Sequence, residues 1–284
     1  QFYAAQQNAH SFERLALESS LRHAVVRREF VLHYQPRIDI VSGRMVGVEA
    51  LLRWNHPDLG VVAPTQFIPL AEETGLIVSI GRWVLRSACA QAAQWRAEGL
   101  HGLRVAVNLS ARQFMDDGLI VDIGDALAEA MLPPGGLELE ITESMVMQSP
   151  DRAVTILSRL RDLGIAVSID DFGTGYSSLG YLKRFPVDNV KIDRSFIKDL
   201  PHDPDDAAIT RAVIAMARSL RIRVVAEGVE TSEQLEFLRT HQCDECQGFH
   251  MSRPLPADEL AQFASEWAPG HGAPRVAPRL TSVA

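Results

Sequence analysis

Seven short apolar stretches of this chain each carry a polar residue at or just past the C-terminal end. In order these are Glu49, Asn108, Glu140, the adjacent pair Asp170-Asp171, Lys191, Glu227 and Gln247. One such residue means little, because every strand must end somewhere, but seven strands in register form a set. Carboxylates gathered on one face raise one another's pKa, and they are relieved by shared protons or by bound cations. Oxygen donors of this kind suit hard cations, Mg²⁺ or Mn²⁺. Five carboxylates and an amide exceed the needs of one Mg²⁺. They fit two ions about 3.5–4 Å apart, an arrangement that hydrolyses phosphodiesters. Lys191, set in an apolar strand, is read as part of this chemistry rather than as a snorkelling surface lysine.

The acidic pair opens the segment DDFGTGYSSL at 170–179. Gly173 and Gly175 flank Thr174, and two serines follow, which describes a hydrogen-bonding loop able to gate a site at a strand end.

Such a set needs elements that bring strand ends together. Strand patterns fall at 30–40, 45–54, 104–110, 137–144, 165–172, 189–193, 224–230 and 246–251. Helical periodicity separates the later ones, at 65–99, 119–131, 150–163, 205–220, 231–241 and 256–266. Alternation of this kind predicts a parallel α/β sheet. Eight strands, with no glycine-rich phosphate loop after the first, favour a closed barrel over a doubly wound sheet. The opening pair, joined at Ser42-Gly43-Arg44, makes one strand antiparallel. Ser149 before Pro150 predicts a helix cap, and Thr231 with Gln234 a capping box. Residues 10–29 form an amphipathic helix, either a connector to an upstream domain or a helix packed on the body. Residues 267–284, with Pro269, Pro274 and Pro278, lack periodicity and are expected to be disordered.

Composition sets the outer bounds. The 284 residues carry 28 Lys and Arg against 36 Asp and Glu, a net charge of −8, with 46% hydrophobic residues. That is ordinary globular composition without the basic footprint of a nucleic-acid binder. An acidic chain that takes a phosphate compound needs cations to mediate it. No apolar run reaches the ~18–20 residues that span a bilayer. Three cysteines cannot build a disulfide framework, so a reducing cytoplasm is expected. Cys243 and Cys246 lack a second ligand pair for zinc and are read as buried thiols, and no His pair has ligand spacing. With Gln1 first, the chain is expected to be a piece of a longer protein, any membrane anchor lying in segments outside it.

The motifs now resemble a family. Glu49-Ala50-Leu51 with Arg53 is similar to the signature of EAL-domain cyclic-di-GMP phosphodiesterases. So are YQP at 34–36, VNLS at 107–110, ELEITES at 138–144, DDFGTGYSSL at 170–179, VDNVKID at 187–193, AEGVE at 226–230 and CDECQGF at 243–249.

The resemblance implies a modified TIM (β/α)8 barrel with an antiparallel first strand. Its domain plan is a connector helix at 1–24, the phosphodiesterase domain at 25–266 and a tail at 267–284. It implies hydrolysis of cyclic di-3′,5′-GMP to linear 5′-pGpG. Glu49, Asn108, Glu140 and Asp170 would hold one cation. Asp170 would bridge to a second, held with Asp171 and Glu227. Lys191 would position the attacking water or offset phosphoryl charge, and Glu227 is either a ligand or the general base. Gln35, Leu51 and Arg53 would contact substrate, Arg53 at phosphate. Gln247 and Glu230 would support the substrate side. Glu143 would anchor the loop that carries Thr174 and Gly175. Mg²⁺ or Mn²⁺ would serve and Ca²⁺ inhibit. A homodimer and an upstream sensory or nucleotide-cyclase domain complete the expected partners, with no polymeric nucleic acid. Two rivals stand beside this reading: an enolase-type barrel, whose motifs do not match, and a receptor that binds the nucleotide without turnover.

Overall fold

The computed structural model describes residues 16–175 and 179–267. Ser177 and Ser178 of the expected loop, residues 1–15 and residues 268–284 lie outside these described residues.

Among the described residues, nine strands run β1 Phe30–Asp39, β2 Met45–His56, β3 Gly60–Val62, β4 Arg104–Asn108, β5 Leu137–Thr142, β6 Ala166–Phe172, β7 Asn189–Ile192, β8 Arg223–Ala226 and β9 Glu245–Cys246. Their order is β1-β9-β8-β7-β6-β5-β4-β2-β3, and β1 also pairs with β2. Eight strands therefore close on themselves, and β3 is an appendage on β2. β1 is antiparallel to both neighbours, whereas the steps from β2 through β4 to β9 are parallel. The expected barrel with a reversed first strand is the one found.

The helices are α1 over 16–24, α2 Pro64–Thr74, α3 Leu76–Ala97, α4 Ala111–Phe114, α5 Leu119–Ala130, α6 Glu143–Gln148, α7 Pro150–Asp162, α8 Leu179–Leu182, α9 Pro204–Leu220, α10 Ser232–Thr240 and α11 Ala257–Glu266. The single helix expected over 65–99 is two. Gly75 in the left-handed conformation (φ 79°) ends α2 and opens α3, a backbone state most side chains avoid. The strand expected to reach residue 144 stops at Thr142, because Glu143 already begins α6. The last strand ends at Cys246 rather than 251. Thr231 and Gln234 form the expected capping box. Ser149 occupies the cap position before Pro150 but makes no side-chain cap bond. A box at Ser110 and Gln113 was not anticipated.

Strand alternation explains the layering. On β5, Leu137, Leu139 and Ile141 face outward under the helices and are fully buried. Each such side chain contributes about 1.5–3 kcal/mol by leaving water. Glu138 and Glu140, between them, face the barrel interior. Trp54, Phe67 and Trp83 surround Phe30 where α2 and α3 cross the hairpin. The described part of α1 packs on the body through Leu21 and Ala24. Trp267, first residue of the expected tail, donates its indole N–H to Gly43 O at 2.7 Å.

Candidate active site

The centre of the barrel mouth is Lys191, with no solvent exposure. Its Nζ lies 2.6 Å from Glu227, 2.7 Å from Glu140, 3.3 Å from Asp170 and 3.7 Å from Glu49. Asp170 and Glu227, the latter just past β8, come from the strands on either side of β7, whereas Glu140 of β5 and Glu49 of β2 are reached across the interior. Glu49 is further anchored by Asn108 Nδ2 at 2.7 Å and Gln247 Nε2 at 2.5 Å. Gln247 Nε2 also donates to Gln35 Oε1 at 3.0 Å, and Gln35 Nε2 donates to Ser252 O.

Glu49 is not at a strand end. It sits mid-strand opposite Gln35, because β2 continues past the mouth to pair with β3. Leu51 and Arg53 follow on the same face by the two-residue repeat, with Arg53 donating to Leu52 O. Asp170 and Asp171 lie where the β6–β7 ladder is interrupted between Ile169 and Phe172. Asp171 has φ 54°, and its amide donates to Asp170 Oδ1 at 2.9 Å. The bulge breaks strict alternation, as bulges beside sites commonly do.

Glu143, at the first position of α6, accepts the Gly173 amide at 3.1 Å. Thr174, a candidate partner for Glu143, instead donates its hydroxyl to Asp171 O. Gly175 lies beside the Glu143 carboxylate, within ordinary van der Waals reach of it. Glu230 stands apart, 3.5 Å from Arg194 and largely exposed.

Electrostatics follow from five carboxylates around one ammonium. Burial opposes the charge on Lys191, yet Glu140, Glu227, Glu49 and Asp170 overcome it and raise its pKa well above 10.5. Burial, helped by Glu49 and Asp170, lifts Glu140 well above the carboxylate range despite Lys191. Glu227 is pushed up to about 8, again chiefly by burial. Asp171 is raised by burial and by Asp170. Glu49 moves the other way. Burial would raise it, but Lys191 and the bonds from Gln247 and Asn108 hold it down.

Among the described residues, no three His, Cys, Asp or Glu side chains are disposed to hold one ion as they stand. They converge instead on the lysine. The donor set still fits hard cations: it is all oxygen, and Glu140 Oε1 is buried without a hydrogen-bond partner.

The sequence reading missed a second storey beneath this one. Arg37 forks onto Glu138 with two bonds of 2.6 Å. Its Nε stands 2.7 Å from Glu245 without hydrogen-bond alignment. Glu138 also accepts from Ser168 at 2.5 Å and Asn189 at 3.1 Å. Burial alone would raise Glu138, but Arg37 and Ser168 bring it down to about 2. The signal was present: Glu138, Ser168 and Asn189 each lie two residues before Glu140, Asp170 and Lys191. Cys243 and Cys246 are buried thiols, as expected.

A closed α/β barrel with an acidic, lysine-centred mouth defines a class, and comparison with known proteins gives the family. The EAL domain family model matches residues 18–254, and the chain belongs to that family. It is 51% identical over 259 residues to "Bifunctional diguanylate cyclase/cyclic di-GMP phosphodiesterase MucR" of Pseudomonas aeruginosa, covering 91% of this chain and 38% of that protein. It is 45% identical to "Cyclic di-GMP phosphodiesterase NbdA" of the same organism, covering 93% of this chain and 34% of that one. The chain thus spans well under half of these relatives. Among solved structures, "PaMucR Phosphodiesterase, c-di-GMP complex" superposes with a TM-score of 0.84 at 52% identity, covering 86% of this chain and 99% of that one. Among the described residues no helix is long and apolar enough to cross a membrane.

Proposed function

We propose that this chain hydrolyses cyclic di-GMP to linear 5′-pGpG with two divalent cations. The observation that carries the reading is the convergence of Glu49, Glu140, Asp170 and Glu227 on buried Lys191. It occurs in a chain 52% identical to a phosphodiesterase solved with that nucleotide. With Asp171, and with every carboxylate ionised as a cation ligand must be, the site would carry five carboxylates against one ammonium, −5 + 1 = −4. Two divalent ions would balance that charge and let an acidic mouth receive two phosphates. The family relationship implies divalent-metal dependence in general; the choice of Mg²⁺ or Mn²⁺ is part of the proposal.

Glu49, Asn108, Glu140 and Asp170 would hold one ion, and Asp170, Asp171 and Glu227 the second. Bound ions supply a water acidified toward neutral pH and positive charge at the phosphoryl oxygens. The protein's own groups do the rest. Lys191 stays protonated in its carboxylate cage and presents a fixed positive charge. Glu227, with its pKa near neutrality, is suited to accept a proton as general base as well as to act as a ligand. Gln35, Leu51 and Arg53 orient the nucleotide on the β1–β2 side, Arg53 toward a phosphate, with Gln247 steadying Gln35 and Glu49. Glu230 serves as a more distant support. Glu143 holds the loop of Thr174 and Gly175 in place. A homodimer, an upstream domain in the longer protein and a cytoplasmic site of action complete the proposal. The receptor reading has no observation in its favour.

The test is chromatography of purified chain incubated with cyclic di-GMP and Mg²⁺. Linear pGpG is expected, and Glu49→Ala should remove most turnover while the fold survives. Bound nucleotide without product, in both Mg²⁺ and Mn²⁺, would replace the hydrolase by the receptor.

A further inference from the structure

Two storeys of polar side chains fill this barrel. In the upper storey, β5, β6 and β7 contribute Glu140, Asp170 and Lys191. In the lower one the same strands contribute Glu138, Ser168 and Asn189, each two residues earlier and hence on the same face. The lower three are joined to one another. Ser168 Oγ donates to Glu138, and Asn189 Nδ2 donates to Glu138 and, at 3.0 Å, to Ser168. Arg37 closes the group from β1. Because β1 and β5 do not pair, its guanidinium crosses the interior to reach Glu138. Every member is buried, with exposures of 0–3%.

Stability does not require this layer. A buried ion pair is often no better than apolar residues of the same volume, and barrels of this kind are ordinarily filled with Val, Ile and Leu. What the layer offers is alignment. The β6–β7 ladder pairs Ser168 with Asn189 and Ile169 with Val190, then skips Asp170 and Asp171 before Phe172. Asp170 is paired with Thr142 on the β5 side, but on the β7 side it has no ladder partner opposite Lys191, so backbone pairing holds this acidic pair toward Lys191 from one flank only. The Glu138–Ser168–Asn189 triangle ties the three strands by side chains immediately beneath the gap.

We propose that Ser168, Asn189 and Glu138, pinned by Arg37, are positioning residues that fix the relative height of Asp170, Glu140 and Lys191. The proposal rests on the hydrolase reading above. Its consequence is that a change in the lower storey, which touches no substrate, alters the rate of the step rather than nucleotide affinity.

Ser168→Ala tests this with the least damage, since it deletes one hydroxyl and no bulk. A misplacement of about 1 Å costs roughly 100-fold in rate, so a shift of half that size is expected to lower kcat about 10-fold. KM for cyclic di-GMP should stay within a factor of two. Mn²⁺ binding, followed by electron paramagnetic resonance without nucleotide, should weaken in the variant. A variant with wild-type kcat and wild-type Mn²⁺ affinity would overturn the proposal, whatever its melting temperature. Inactivity of the unsubstituted chain would count against the hydrolase reading instead. The Mn²⁺ comparison would still judge the positioning layer in that case.

Discussion

Glu227 Oε1 lies 2.6 Å from Lys191 Nζ, inside a cage where three further carboxylates compete for the same ammonium. Removing that ammonium leaves the cage without a counter-charge. Breaking a buried pair from one side costs about 3–5 kcal/mol. Lys191→Met should therefore lower the melting temperature on the order of 10 °C in chelator, with part of the loss restored by Mg²⁺. Turnover should fall by more than about 100-fold. An unchanged melting curve in chelator would show that the cage does not need its lysine.

The cage also gives stability a pH dependence. Glu227 binds its proton more tightly in the folded chain, with a pKa of about 8, than in the unfolded one. That contribution is fully present below the unfolded carboxylate pKa and is lost as pH rises through about 8. Glu140 and Asp171 are shifted in the same direction. Glu49 and Glu138 are shifted down and act oppositely, losing their contribution as pH falls through their lowered values. Metal-free protein should thus melt lower at about pH 8.5 than at about pH 6. Glu227→Gln should flatten that slope. Equal slopes in the two proteins, read by calorimetry, would assign the effect elsewhere.

Asp171 illustrates a conflict between stability and site. Its backbone is left-handed, φ 54°, which costs a non-glycine residue roughly 1–2 kcal/mol, less for Asp. Its charge is repelled by Asp170. Asp171→Gly should keep or raise the melting temperature while turnover collapses. A variant that melts lower would mean that Asp171 is needed for the fold.

The Gly173 amide bonded to Glu143 ties the loop after β6 to the start of α6. Glu143→Ala should reduce turnover about 10–100-fold or weaken Mg²⁺ dependence, although no expected ligand is removed. Rate and Mg²⁺ titration both matching wild type would show that the loop needs no such anchor.

Metal choice gives an independent check. Ca²⁺ prefers 6–8 oxygens at longer distances than Mg²⁺. It should bind, compete with Mg²⁺ and suppress product formation. Full turnover in saturating Ca²⁺ would remove the geometric argument for a compact site.

The barrel and its upper storey were legible because polar residues interrupt otherwise apolar strands, a contrast that composition cannot hide. Glu140, Asp170 and Lys191 stood out in this way. Glu138, Ser168 and Asn189 carry the same periodicity, but they lie at strand beginnings, where a polar residue looks like an ordinary entry from solvent. Their partner Arg37 is 101 positions from Glu138, and no local pattern joins the two. The break at Gly75 was missed because apolar periodicity runs through it. Glu143 was placed on a strand exit because ELEITES keeps strand-like composition beyond the point where Thr142 turns the chain into α6. Ser149 shows the converse: the right residue sits at the cap position, but with φ −148° and ψ 76° its side chain makes no cap bond.

β9 is only two residues long, and its ladder to β1 has two register pairs, against nine between β1 and β2. Toward the mouth, the Gln35 and Gln247 side chains bridge the two strands at 3.0 Å. The barrel is therefore hooped unevenly. Most staves spread only by breaking a run of backbone hydrogen bonds to a neighbour, but at this seam the upper half is held by amide side-chain bonds worth about 0.5–1.5 kcal/mol each and by the backbone pair between Tyr34 and Leu255. The side-chain part of this seam adjoins Glu49, which shares Gln247 with it. A bulky nucleotide entering there would meet a wall joined in part by side chains rather than by a continuous backbone ladder.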